Sequence, residues 1–112
     1  MRQIFDYFET VSFTATVCDK DGAVVYQNAR ARENDGDAAG RNIFECHNEQ
    51  SAKMIRHMLA TGKSHTMESI RNGKRRLLHR TPWLDENGEV AGLIELGLDL
   101  PDDYPVIDYD KR

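Results

Sequence analysis

The stretch Val17-Cys18-Asp19-Lys20-Asp21-Gly22-Ala23-Val24-Val25-Tyr26-Gln27-Asn28 governs the reading of the whole chain. Before it, Phe13-Thr14-Ala15-Thr16 starts an alternating, β-branched run that continues through Val17 and Cys18. Asp19 to Gly22 supplies the acceptor-rich, glycine-closed turn, and Ala23 to Gln27 alternates again. Two such runs around an Asp-Gly turn predict a β-hairpin.

Working outward, the strand pattern stops at Asn28. From there to about Glu45, alanines, charges, Gly36 and Gly40 predict short helical turns separated by breaks. Residues 49–61 read as a longer helix, with Ala52, Met54, Ile55, Met58 and Leu59 at helical spacing and Gly62 in the C-cap position. In the other direction, Ile4, Phe5 and Phe8 give residues 2–10 the pattern of a short amphipathic helix. The final third reads as an antiparallel meander of residues 64–71, 75–84 and 89–100. Its turns are Asn72-Gly73 and Asp85-Glu86-Asn87-Gly88. The order predicts an α+β fold, divided into an N-terminal helix (1–10), a domain (11–100) and an acidic, proline-punctuated tail (101–112) that is extended or frayed.

Composition sets the outer bounds. The chain has 112 residues, enough for one domain and its core, with 39% hydrophobic and 30% charged residues. A net charge of −4 argues against nucleic-acid binding, which needs a concentrated basic surface. The dense basic run Arg71-Asn72-Gly73-Lys74-Arg75-Arg76 falls on a hairpin and reads as a solvated turn. No run of about 18 apolar residues is available to span a membrane, and no signal-peptide core precedes Asp6 and Glu9. A cytoplasmic location is expected, with Cys18 and Cys46 as buried, reduced thiols.

The turns also predict register. A two-residue turn between Arg71 and Lys74 sets Met67 opposite Leu78 and Thr66 opposite His79. Closing the next turn between Asp85 and Gly88 sets Leu78 opposite Glu95, His79 opposite Ile94, and Trp83 opposite Val90. Alternation then sorts the side chains onto two faces. The more apolar set includes Leu77, His79, Trp83, Ile94 and Leu96, and is expected to line the core beneath the helices. The mixed set includes Met67, Leu78, Arg80, Leu93 and Glu95, and is expected to face outward. It would meet the N-terminal helix or a second copy of the chain, with Glu95 near Arg76 and Arg80 as a partly exposed structural ion pair.

The hairpin with its D-x-D-G turn and following Asn28, together with Gly40-Arg41-Asn42-Ile43-Phe44 and the two terminal hairpins, resembles a PAS domain over residues 10–100. Phe44-Glu45-Cys46-His47-x-Glu49 and Thr81-Pro82-Trp83 are similar to a branch of small, often stand-alone bacterial PAS proteins. That branch often carries Cys-His-Pro-Glu, where this chain has Asn48. The resemblance implies a five-stranded antiparallel sheet with short helices on one face. It also implies a signal-sensing role, through a bound small molecule or through dimerisation, upstream of an unknown signalling protein.

On that reading a ligand pocket is expected among Phe44, His47, Ile55, Leu59, His79, Trp83, Ile94 and Leu96. A homodimer interface is expected among Ile4, Phe5, Phe8, Met67, Leu78 and Leu93. His47 reads first as a structural histidine at a helix start; the alternative is a ligand to haem iron or a partner for a small acid. His57 lies off the Ile55–Leu59 stripe and is expected to face solvent. Trp83, Met54 and Met58 read as core packing before ligand contacts. Adjacent Cys46 and His47 diverge by about 100° on a helix, and no second ligand pair has metal spacing, so no metal site is expected. No nucleophile elbow, phosphate loop or paired-carboxylate cleft is legible, and the chain is expected not to be an enzyme.

Overall fold

The structure, a computed structural model, describes residues 6–46 and 48–111, without the side chain of Cys46. Its elements are α1 (Asp6–Glu9), β1 (Thr14–Asp19), β2 (Val24–Gln27), α2 (Ala29–Asp35), α3 (Ile43–Cys46), α4 (Glu49–Thr61), β3 (His65–Arg71), β4 (Lys74–Leu84) and β5 (Val90–Asp99). The five strands form one antiparallel sheet in the order β2-β1-β5-β4-β3. The N-terminal hairpin and the meander therefore meet at the central β1–β5 pair, and the helical segment joins the two outer edges.

Local chemistry accounts for each turn. Asp19 Oδ1 accepts from the backbone N–H groups of Asp21 and Ala23, the Asx pattern that folds the first hairpin. Gly22 closes that turn at φ 88°, and a Cβ there would lie 2.7 Å from the Phe44 ring. Asn72 (φ 54°) and Gly73 (φ 77°) are both left-handed, as the two-residue β3–β4 turn requires. Asn48 caps α4 by accepting from Ser51 N–H at 2.8 Å, and Gly62 ends it in the αL conformation.

Asn28 is the main polar anchor. It is fully buried, and its Oδ1 accepts from Ala31 N–H, capping α2, and from Ala15 N–H on β1. Its Nδ2 donates to the carbonyls of Phe8 and Phe13, at 2.9 Å each. One side chain thus ties the α1 segment, β1 and α2 together with every bond it can make to them satisfied.

The core lies between α4 and the sheet. Ile55 and Met58 of α4 pack with Cys18 and Leu93, and Ile43, Phe44, Met54 and Leu59 close around them. Burying side chains as large as Ile55 and Met58 contributes about 1.5–3 kcal/mol each. No described helix is long and apolar enough to cross a membrane.

The β3–β4 register is as expected, with Thr66 opposite His79 and Met67 opposite Leu78. The β4–β5 register differs by two residues: Leu78 faces Gly97, His79 faces Leu96, and Trp83 faces Gly92. The backbone closes Asp85 N–H onto Glu89 rather than onto Gly88, and a bulge after Trp83 adds one further residue. An even shift keeps each side chain on its original face, so the two sets survive intact.

Their assignment to layers is inverted. Leu93 belongs to the core beneath α4, which places Met67, Leu78, Arg80 and Glu95 on the helix-covered face with it. His79, Trp83, Ile94 and Leu96 point to the far face. Apolarity misleads here because much of the cover is the short, polar segment around α2 and α3, and the charges beneath it are paired. Met67, Leu78 and Leu93 are accordingly not on an outward interface, whereas Phe8 is substantially exposed; Ile4 and Phe5 lie outside the described residues.

Candidate binding cleft

The covered face carries alternate residues of three central strands: Thr14, Thr16 and Cys18 of β1, Leu93, Glu95 and Gly97 of β5, and Arg76, Leu78 and Arg80 of β4. Arg80 and Glu95 stand directly opposite each other, and Arg80 Nε donates to Glu95 Oε2 at 2.5 Å. Their side chains are only 8% and 27% exposed, so the pair is far more buried than a surface salt bridge. A charge-assisted bond of this kind is stronger than an exposed one, and leaving either partner alone is costly.

Arg76 lies flat across Gly97. A Cβ on Gly97 would fall 2.4 Å from Arg76 Nη2 and 2.5 Å from Thr14 Oγ1, so the missing side chain makes room for the guanidinium. Arg76 Nη2 donates to Thr14 Oγ1 at 3.0 Å, and its buried Nε sits 3.3 Å from Asp99 Oδ1 without the alignment of a hydrogen bond. Arg30 of α2 reaches the other Asp99 oxygen at 3.0 Å.

The opposite wall is the segment between α2 and α3, held over the sheet by backbone and amide bonds. Gln27 Nε2 donates to Gly36 O, and its Oε1 accepts from Ala38 N–H at 2.7 Å. Val24 N–H donates to Arg41 O, Gly40 N–H to Val24 O, and Ile43 N–H to Gly22 O. Between wall and sheet is a cleft of about 540 Å³, lined among others by Asp35, Ala38, Arg41, Ile43, Arg71, Arg76, Leu78 and Arg80. A smaller cavity of about 40 Å³, lined by Cys18, Ile55 and Leu93, shares Thr16, Ile43, Arg80 and Glu95 with it. The two adjoin at the Arg80–Glu95 pair. Burial pushes the Cys18 thiol up to about 11, so it is a neutral, apolar group at that end.

Of the pocket residues expected from sequence, Ile55 lines the smaller cavity. Phe44 does not line the cleft: its ring packs on the Gly22 turn with the Arg56 guanidinium 4.5 Å above it. Leu59 packs against the core. His79, Trp83, Ile94 and Leu96 are on the far face, for the reason given above. There the His79 ring nitrogen Nδ1 lies 2.8 Å from Thr66 Oγ1, and the Trp83 indole N–H donates to Cys18 O across Gly92.

His47 lies outside the described residues. None of the other histidines lines the cleft: His57 and His65 meet edge to face, and His79 is on the far side. Among the described residues no cluster of three metal-ligating side chains occurs.

The residues that do shape the cleft, Arg76, Arg80, Glu95, Arg41 and Arg71, were not read as a site. The signal was present as Arg76-x-Leu78-x-Arg80 paired with Leu93-x-Glu95-x-Gly97, charges matched across strands beside a glycine. Guanidinium donors beside Ile43 and Leu78 make a surface for a molecule with both an acceptor group and an apolar body.

A family model described as the PAS fold matches residues 8–103. No curated protein matches the chain. Among solved structures, the Vibrio cholerae VqmA dimer, described among LuxR-type receptors, is 25% identical over 88% of this chain and 50% of its own, with a TM-score of 0.74. VqmA bound to DPO is 24% identical over 88% of this chain and 56% of its own, with a TM-score of 0.70. A sensory box sensor histidine kinase from Vibrio cholerae is 18% identical over 86% of this chain and 88% of its own, with a TM-score of 0.64. The chain spans about half the length of VqmA.

Proposed function

Since this chain belongs to the PAS fold family, we propose that it is a sensory module that binds a small molecule between the α2–α3 wall and the covered face of the sheet. The observation that carries this reading is the cleft of about 540 Å³. Its volume falls within the range of small-molecule sites, and its wall is already hydrogen-bonded in place, which lowers the entropic cost of binding. VqmA, a structural relative, has been solved bound to DPO, which supports a ligand role for this fold without identifying the ligand here. The role is binding rather than catalysis, with occupancy of the cleft passed to a downstream signalling partner.

The test is native mass spectrometry of the purified protein, with a thermal-shift screen of metabolites on wild type and on Ala38→Trp, which fills the cleft from its wall. The expected result is a mass above that of the bare chain or a stabilising metabolite, either of them lost in Ala38→Trp. Shifts of equal size in both proteins would overturn the reading.

A second reading, homodimerisation through the far face, is favoured by Leu98, which is 45% exposed at the end of the Ile94–Leu96–Leu98 stripe. Exposed apolar surface of this kind commonly marks an interface. Sedimentation at rising concentration is expected to show dimers that Leu98→Glu dissociates; a monomer throughout would rule this interface out.

A further inference from the structure

We propose that the cleft selects a small organic anion, an oxyanion head on an apolar body; this rests on the binding reading above. Among the described residues, four arginines line the cleft (Arg41, Arg71, Arg76 and Arg80) against two carboxylates, Asp35 and Glu95. The chain as a whole carries a net charge of −4, so the positive character is local to the cleft and runs against the average of the molecule. A concave, partly desolvated site concentrates such a field on whatever enters it.

The four arginines are not equivalent. Arg80 is held by Glu95, and Arg76 by Thr14 and Asp99. Arg41, on the α2–α3 wall, and Arg71, at the end of β3, have side chains with no hydrogen bond or ion pair to another described residue. Both line the same cleft, from opposite walls. Two uncommitted arginines lining one cleft suit a carboxylate, sulfonate or phosphate, which a guanidinium can hold bidentately. Val24, Ile43 and Leu78 line the same space and would receive an apolar body beside the head group. A cleft of about 540 Å³ is of a size that suits a small molecule.

The test compares two fluorescent probes with similar apolar bodies, anionic 8-anilinonaphthalene-1-sulfonate and neutral N-phenyl-1-naphthylamine. Both are titrated into wild type, Arg41→Gln/Arg71→Gln, Arg75→Gln and Ala38→Trp. Arg41 and Arg71 are exposed, so the double variant is expected to fold normally. Arg75, paired with Glu68 on the far face, controls for a change in overall charge. The expected result is that wild type binds the sulfonate about tenfold more tightly than the neutral probe, a preference that rising salt erodes. The double variant loses that preference while its affinity for the neutral probe is unchanged. Arg75→Gln behaves as wild type, and Ala38→Trp binds neither probe.

If wild type binds both probes equally, or the double variant keeps the preference, anion selection is overturned, while loss of both probes in Ala38→Trp still upholds the cleft. If Ala38→Trp binds both probes as wild type does, the cleft reading fails and the anion proposal fails with it.

Discussion

The two faces of this sheet are built from the same strands, residue by residue in alternation, yet they treat charge in opposite ways. On the covered face Arg80 and Glu95 meet across adjacent strands under the α2–α3 wall, and Arg76 lies across Gly97 toward Thr14 and Asp99. On the far face the ion pair Arg75–Glu68 is half exposed, and the stripe Ile94, Leu96, Leu98 supplies the apolar surface. Polar groups are thus concentrated where helices shield them from water, and several apolar groups are left where they are shielded less. The covered face thus carries both the core around Ile55, Met58, Cys18 and Leu93 and the shielded charges that line the proposed cleft.

Substitutions that are chemically alike but placed on opposite faces sharpen this contrast. The largest effect is expected at glycine. Gly92 sits on the far face, where a Cβ would fall 2.0 Å from the Cys18 carbonyl and 2.4 Å from Trp83 Nε1. The carbonyl is backbone and cannot step aside, so Gly92→Ala is expected to cost about 3 kcal/mol or more in urea unfolding. Gly97→Ala on the covered face meets only the ends of the Arg76 and Thr14 side chains. It is expected to cost about 1–2 kcal/mol. Equal losses at the two positions would show that Arg76 is as immovable as backbone.

The ion pairs come next. Glu95→Ala strands Arg80 beneath the wall and is expected to cost about 2–3 kcal/mol, allowing for the partial exposure of Glu95. Glu68→Ala removes the partner of Arg75 on the far face and is expected to cost less than about 0.5 kcal/mol. Similar costs at both sites would contradict the contrast between a shielded and an open pair.

The smallest effect is a pH dependence at Cys18. Desolvation by burial raises its thiol from 9.0 to about 11 in the folded protein. A group whose folded pKa is raised gives stability that is complete below its unfolded value and lost as pH rises toward the folded one. Wild type is therefore expected to lose stability between pH 9 and pH 11, and Cys18→Ala to lose less over the same interval. Parallel decline of the two urea midpoints would place the thiol in water.

Much of the fold was legible because it is written in local chemistry. Asp19 and Gly22, Asn72-Gly73, and Asn48 with Gly62 around α4 each satisfy a short-range geometric need, and the structure uses each of them. The strand alternation was legible for the same reason and survived a two-residue error in register. What no local pattern could show is which face the helical segment covers. The covering wall is held by Gln27 and by backbone bonds from Val24, Gly40 and Ile43, not by an apolar stripe. Ranking the faces by apolarity therefore put Trp83, His79, Ile94 and Leu96 inside and Leu93 outside, the reverse of what is found. The cleft was missed for the same reason. Arg76, Arg80 and Glu95 read as ordinary surface charge until the wall that shields them is in place.

Methyl NMR of protein labelled at isoleucine, leucine and valine, titrated with 8-anilinonaphthalene-1-sulfonate, addresses the assignment of the faces most directly. Ile43, Ile55, Leu78 and Leu93 report on the covered face, and Leu77, Ile94 and Leu96 on the far one. The expected result is that the first group shifts and saturates together while the second stays still. Shifts confined to Leu77, Ile94 and Leu96 would contradict it and return the ligand to the other side of the sheet.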